Sequence, residues 1–108
     1  MQYENDKQKQ RLELYYKSCE NKLKRDNGKT KAELRELMLC LDMDVKLVDD
    51  FATYILYALR TYDGMMPRSQ ESTIHMITNP QDFFATADEQ KRFVEEFKRH
   101  IMDTIAIM

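Results

Sequence analysis

VKLVDDFATYILYALRTY, residues 45–62, begins with the mixture of apolar and charged residues typical of an amphipathic helix and becomes apolar on every side towards its end. The six residues 54–59, YILYAL, are all aliphatic or aromatic. Six residues fill more than one turn of an α-helix, so no face of that turn is left for water. Such a helix needs neighbours all round. The segment therefore predicts the central helix of a small helical domain.

The composition favours one helical domain over the 108 residues. Apolar residues make up 43% of the chain and charged residues 33%, with only two Gly and two Pro. A chain of this size buries one hydrophobic core, and few helix breakers means long helices. We expect an all-α fold, a small single-domain bundle (1–108) of four main helices with one or two short helical turns.

Local signals divide the first half of the chain into two helices before the central one. Residues 4–25 carry a narrow apolar stripe that begins at Leu12, and Asn27 or Gly28 can end this helix in the left-handed conformation. Thr30 and Glu33 have the spacing of a capping box, which predicts the start of a second helix. The inward residues of that helix are predicted to be Leu34, Leu37, Met38 and Leu41.

Residues that can cap helices predict where the helices of the second half of the chain begin. Asp44 is expected to cap the central helix, which should stop at residues 63–64. Residues 63–86 are the least regular part, where we expect short helical turns, and the sequence leaves residues 72–78 open between helix, strand and loop. Thr86 begins a second capping box, which predicts a last helix over residues 87–107.

Cys19 and Cys40 are the only cysteines, and both fall at positions predicted to face inward. Unpaired cysteine is among the most buried residue types, which favours two free thiols. If the first two helices form a hairpin that turns near Gly28, the two cysteines differ by only about 5 Å along the axes, so a disulfide stays geometrically open. The chain begins without the apolar core of a signal peptide and has no apolar run near the ~20 residues of a membrane span, which predicts a cytoplasmic protein.

The chain shows no pattern typical of catalysis or of a cofactor or metal site. His75 and His100 have no His or Cys three or four residues away, the spacing that metal sites on helices use. The acidic stretch 42–50 lacks the glycine and the closing Glu of a calcium loop. Residues 27–30, NGKT, lack the earlier glycine of a phosphate-binding loop. We therefore expect a protein that is not an enzyme and that uses no cofactor or metal.

Apolar residues outside the predicted stripes favour protein–protein interaction, as in an adaptor, a regulator or an inhibitor. The partner would be another protein or a second copy of this chain. An equal alternative is that these residues simply close the core over the central helix. The candidate partner-binding residues are Met65, Met66, Phe83, Phe84, Met102 and Met108.

An uneven charge distribution supports a second hypothesis. Residues 1–31 carry nine Lys or Arg against five Asp or Glu, whereas residues 32–108 carry eight against fourteen. A basic surface of this kind can bind nucleic acid, although the interspersed acids also fit an ordinary solvated helix. The candidate nucleic-acid-binding residues are Lys17, Lys22, Lys24, Arg25, Lys29 and Lys31.

Overall fold

The computed structural model describes the backbone of residues 2–65 and 73–107 and the side chains of residues 7–63 and 73–107. Within these ranges the chain is helical and has no strand, which confirms the all-α prediction. The elements are α1 (Gln2–Arg25), α2 (Lys29–Cys40), α3 (Lys46–Met65), α4 (Thr73–Thr78), a 3₁₀ turn (Pro80–Asp82) and α5 (Ala87–Ile107).

Helix α3 is the central element, as the sequence predicts. It contacts α1, α2, α4 and α5. Residues 55–59 are all buried, with no side chain more than 8% exposed. The predicted cap is confirmed, because the Lys46 N–H donates to Asp44 Oδ1 at 2.9 Å. One prediction is wrong: Gly64 stays helical, so α3 ends at Met65 rather than at residues 63–64.

The junction between α1 and α2 differs from the predicted capping box. Asn27 and Gly28 are both left-handed, with φ of 55° and 84°, and α2 begins directly after them. Thr30 is buried inside the first turn and caps nothing. Its N–H donates to Asp26 Oδ2 at 3.1 Å, and its hydroxyl donates to the same oxygen. The carboxylate that caps α2 therefore comes from the end of α1, because two left-handed residues fold the chain back on itself.

A second Asp–Thr pair ties α4 to α3. Asp63 lies near the end of α3, and Thr73 is the first residue of α4 and fully buried. Asp63 Oδ1 accepts the Thr73 N–H at 2.7 Å and also accepts the Thr73 hydroxyl. Hydrogen bonds to a carboxylate are among the stronger ones in proteins. Residues 73–78, left open by the sequence, are thus fixed as a helix that is joined to the central one.

Helix α5 begins at the predicted second capping box and packs along α3. Thr86 Oγ1 accepts the Glu89 N–H at 3.2 Å, while the Glu89 carboxylate reaches back to the Ala85 N–H at 3.4 Å. The ring of Tyr62 in α3 lies 5.1 Å from that of Phe97, between centroids. The buried face of α5 consists of Phe93, Phe97, Ile101 and Thr104.

Both cysteines are free thiols, so no disulfide joins α1 to α2. Cys19 is fully buried, as predicted, but Cys40 is exposed, and its predicted inward position is wrong. The reason is helical register, since the face of α2 that meets the core is set by Leu37, Met38 and Leu41. In residues 2–65 and 73–107, no helix has the length and apolar character needed to cross a membrane.

We expect Ile55→Ala to lower the free energy of unfolding by about 2–5 kcal/mol, because it removes a fully buried side chain and leaves a cavity. Leu39→Ala is the matched control, because Leu39 is 69% exposed and its truncation should cost under about 0.5 kcal/mol. Urea denaturation of both variants measures the difference. Equal losses would contradict the buried position of the central helix.

Candidate functional site

The described side chains in the N-terminal half of α1, residues 7–13, are exposed. Among the described side chains of α1, only Cys19 and Leu23 are buried. Leu12 is 50% exposed and Leu14 is 70% exposed. The stripe predicted to start at Leu12 therefore reaches the core only in the second half of the helix. Residues two apart on a helix point to different faces, so Leu12 and Leu14 belong to separate surfaces.

A groove of about 900 Å³ lies between residues 9–20 of α1, the middle of α3 and the end of α5. Three tyrosine rings line it, from Tyr16, Tyr54 and Tyr57. Leu12 contributes from α1, and Ile107, which is 83% exposed, contributes from α5. The remaining lining residues are polar or charged, namely Lys9, Glu13, Lys17, Glu20 and Thr104.

The tyrosines belong to a row of aromatic rings that joins α1 to α3. Tyr16 stacks on Tyr54 with centroids 5.6 Å apart, and Tyr54 stacks on Phe51 at 5.9 Å. Tyr57 lies edge-on to Tyr15 at 5.5 Å. Such pairs add about 0.5–1.5 kcal/mol each beyond the apolar area that they bury. The groove therefore has a floor that is already ordered before anything binds.

Burial extends the pH range over which the phenols of Tyr16 and Tyr57 stay neutral, because it raises their pKa values. Burial, followed by the neighbouring Tyr54, raises the pKa of Tyr16 to about 12. Burial also raises the pKa of Tyr57. A neutral phenol offers a hydroxyl that donates and accepts hydrogen bonds, together with an apolar ring. This is the chemistry of a binding surface, and tyrosine is enriched in protein interfaces for that reason.

The three predicted partner-binding residues whose side chains are described lie elsewhere. Phe83 and Phe84 are half-buried against the core, and the ring of Phe84 lies 5.3 Å from that of Phe93. Met102 is 47% exposed on α5, about 14 Å along the helix from Phe93. None of these three lines the groove. Their role in binding stays a prediction. The side chain of Met65, together with Met66 and Met108, lies outside the described residues.

Part of the predicted nucleic-acid set comes together on another face of α1. Lys17, Lys24 and Arg25 line a shallow depression of about 550 Å³ whose other lining residues are uncharged. Lys22 and Lys29 are exposed, and Lys31 is half-exposed, but none of them lines this depression.

His100 and Asp49, from the acidic stretch, contact other side chains of the fold. His100 Nε2 lies 2.9 Å from Thr61 Oγ1, and its ring packs on Tyr62 at 5.4 Å. Asp49 pairs with Arg35 at 2.9 Å on the surface. In the part of the chain that the structure describes, no three His, Cys, Asp or Glu side chains are grouped so that they could hold a metal ion.

Of the sequence-based candidates with described side chains, only Lys17 lines the groove, because three separate helices build it. One signal was available: Leu12 and Tyr16 are one turn apart on a helix whose other residues are mostly polar. Comparison of the chain with protein-family models, with curated proteins and with solved structures gives no match. The geometry of the groove is therefore the basis of the functional proposal.

The raised pKa of Tyr16 predicts a loss of stability in alkaline solution. A folded-state pKa of about 12 lies above the ordinary value of 10.0, so the folded protein holds this proton where the unfolded chain releases it. The free energy of unfolding should therefore fall as the pH rises from about 10 to about 12. In Tyr16→Phe the fall should be smaller. Denaturation across this pH range measures both proteins, and an unchanged slope in the variant would contradict the assignment.

Proposed function

We propose that this protein acts without catalysis by binding a protein partner in the groove between α1, α3 and α5. The observation that supports this most directly is the combination of three ordered tyrosine rings with the exposed side chains of Leu12 and Ile107. Aromatic side chains held rigidly lose little entropy on binding and are frequent at the energetic centres of interfaces. An adaptor, a regulator or an inhibitor would use such a surface.

The dimensions of the groove favour a helix as the bound element. Its α1 side runs from Lys9 to Glu20, which is about 17 Å, or three helical turns. A partner helix with one apolar stripe would cover the tyrosine floor, while its flanking charged residues would meet the charged residues of α1. Recognition of an amphipathic helix in an apolar groove is a recurring mode of protein binding.

Affinity capture tests the proposal, starting from the cytoplasmic fraction of the cells that make the protein. Leu12→Asp and Ile107→Asp place a charge in the groove and should abolish retention of the partner. Leu39→Asp is the matched control, because Leu39 is equally apolar and 69% exposed but lies on α2 outside the groove. Retention of the same partner by all three variants would contradict the proposal.

The depression lined by Lys17, Lys24 and Arg25 supports a second candidate function, which is binding to nucleic acid. Three cations without an acid among them match the spaced phosphates of a nucleic-acid backbone. Affinity for RNA or DNA that falls steeply with salt, and that is lost in the double variant Lys24→Glu and Arg25→Glu, would favour this candidate over the first.

A further inference from the structure

The charged residues that line the groove alternate in sign along α1. Lys9, Glu13, Lys17 and Glu20 follow one another as positive, negative, positive and negative. Among the residues whose side chains are described, none of these four has an ion-pair partner. A series of this kind is its own complement when it is read backwards, because each positive position then faces a negative one.

We propose that the groove binds α1 of a second copy of this chain, antiparallel and around a two-fold axis near residue 15. This inference rests on the proposed function and names the partner. An antiparallel pair with this axis would place Lys9 opposite Glu20 of the partner subunit and Glu13 opposite Lys17 of the partner subunit. By symmetry each contact occurs twice, so four ion pairs form across the interface.

The spacing of the charges agrees with a single axis. The midpoint of Lys9 and Glu20 is position 14.5, and the midpoint of Glu13 and Lys17 is position 15. The two midpoints differ by half a residue, which is about 0.75 Å along a helix. Lysine and glutamate side chains absorb an offset of this size. A parallel pair would instead place each charge opposite its own copy, and all four contacts would be repulsive.

The apolar residues of the groove are centred on nearly the same point. Leu12 and Tyr16 have their midpoint at position 14, so Leu12 would pack near Tyr16 of the partner subunit. Ile107, at the end of α5, would cover the partner's helix from the other side of the groove. The dimer thus buries Leu12 and Ile107, which are 50% and 83% exposed in the single chain.

The groove is smaller than the interface of a typical stable dimer. Ten residues line it, whereas a stable interface uses roughly 20–30 residues on each side. The dimer should therefore dissociate reversibly in the micromolar range. Because the charged residues are exposed or half-exposed, added salt should weaken it.

Charge exchanges that keep the net charge of the chain test the pairing directly. In Lys9→Glu with Glu13→Lys, both kinds of contact become repulsive, and the dissociation constant should rise at least about tenfold. In Lys9→Glu with Glu20→Lys, both contacts stay attractive, and the constant should stay within about threefold. Exchange of all four residues should also preserve the dimer. Sedimentation equilibrium measures the constants, and circular dichroism confirms that each variant is folded.

Two results would overturn the dimer. One is a wild-type chain that stays at 13.0 kDa at every concentration. The other is equal dissociation constants for the two double variants. If the wild type stays monomeric while Leu12→Asp still abolishes capture of a different protein, the dimer is wrong and the proposed function stands. If the chain is monomeric and capture does not depend on Leu12, both are wrong.

Discussion

Residues 55–59 of α3 are all buried, with no side chain more than 8% exposed, and the rest of the fold depends on this constraint. A helical turn that is apolar all round is stable only when other elements cover each of its faces. Here α1, α2 and α5 pack around the same helix, and α4 adds to them near its end. The positions of the four outer helices follow from the need to cover one inner helix.

Two pairs of Asp and Thr residues then connect successive helices of the bundle. Asp26 with Thr30 joins α1 to α2, and Asp63 with Thr73 joins α3 to α4. In the first pair the carboxylate is held as the anion, because hydrogen bonds from Thr30 lower the pKa of Asp26. The C-terminal half of α1 is thereby tied to the core. Its N-terminal half is more exposed, and residues of both halves line the groove.

Features that depend on nearby residues were predictable from the sequence. The YILYAL turn predicted the central helix, and Asp44 and Thr86 predicted two helix starts that the structure confirms. Thr30 was predicted as a cap by the same local reasoning and is not one, because its partner Asp26 approaches only after the chain reverses at Asn27 and Gly28.

The groove could not be predicted from nearby residues, because its lining residues are far apart in the sequence. Tyr16 and Tyr54 are 38 residues apart in the sequence, yet their rings stack at 5.6 Å. Periodicity alone assigned Leu12 to the core, because it continues the helical spacing of the buried residues that follow it. Leu12 instead lines the groove beside α3 and α5 and stays exposed, which depends on how distant segments of the chain pack.

Amide hydrogen exchange under native conditions tests the central claim most directly, namely that α3 is the axis on which the other helices pack. Amides of residues 55–62 should exchange most slowly, at the rate set by global unfolding, whereas those of residues 7–15 should exchange orders of magnitude faster in dilute protein. Exchange in residues 55–62 that is as fast as in residues 7–15 would contradict the account.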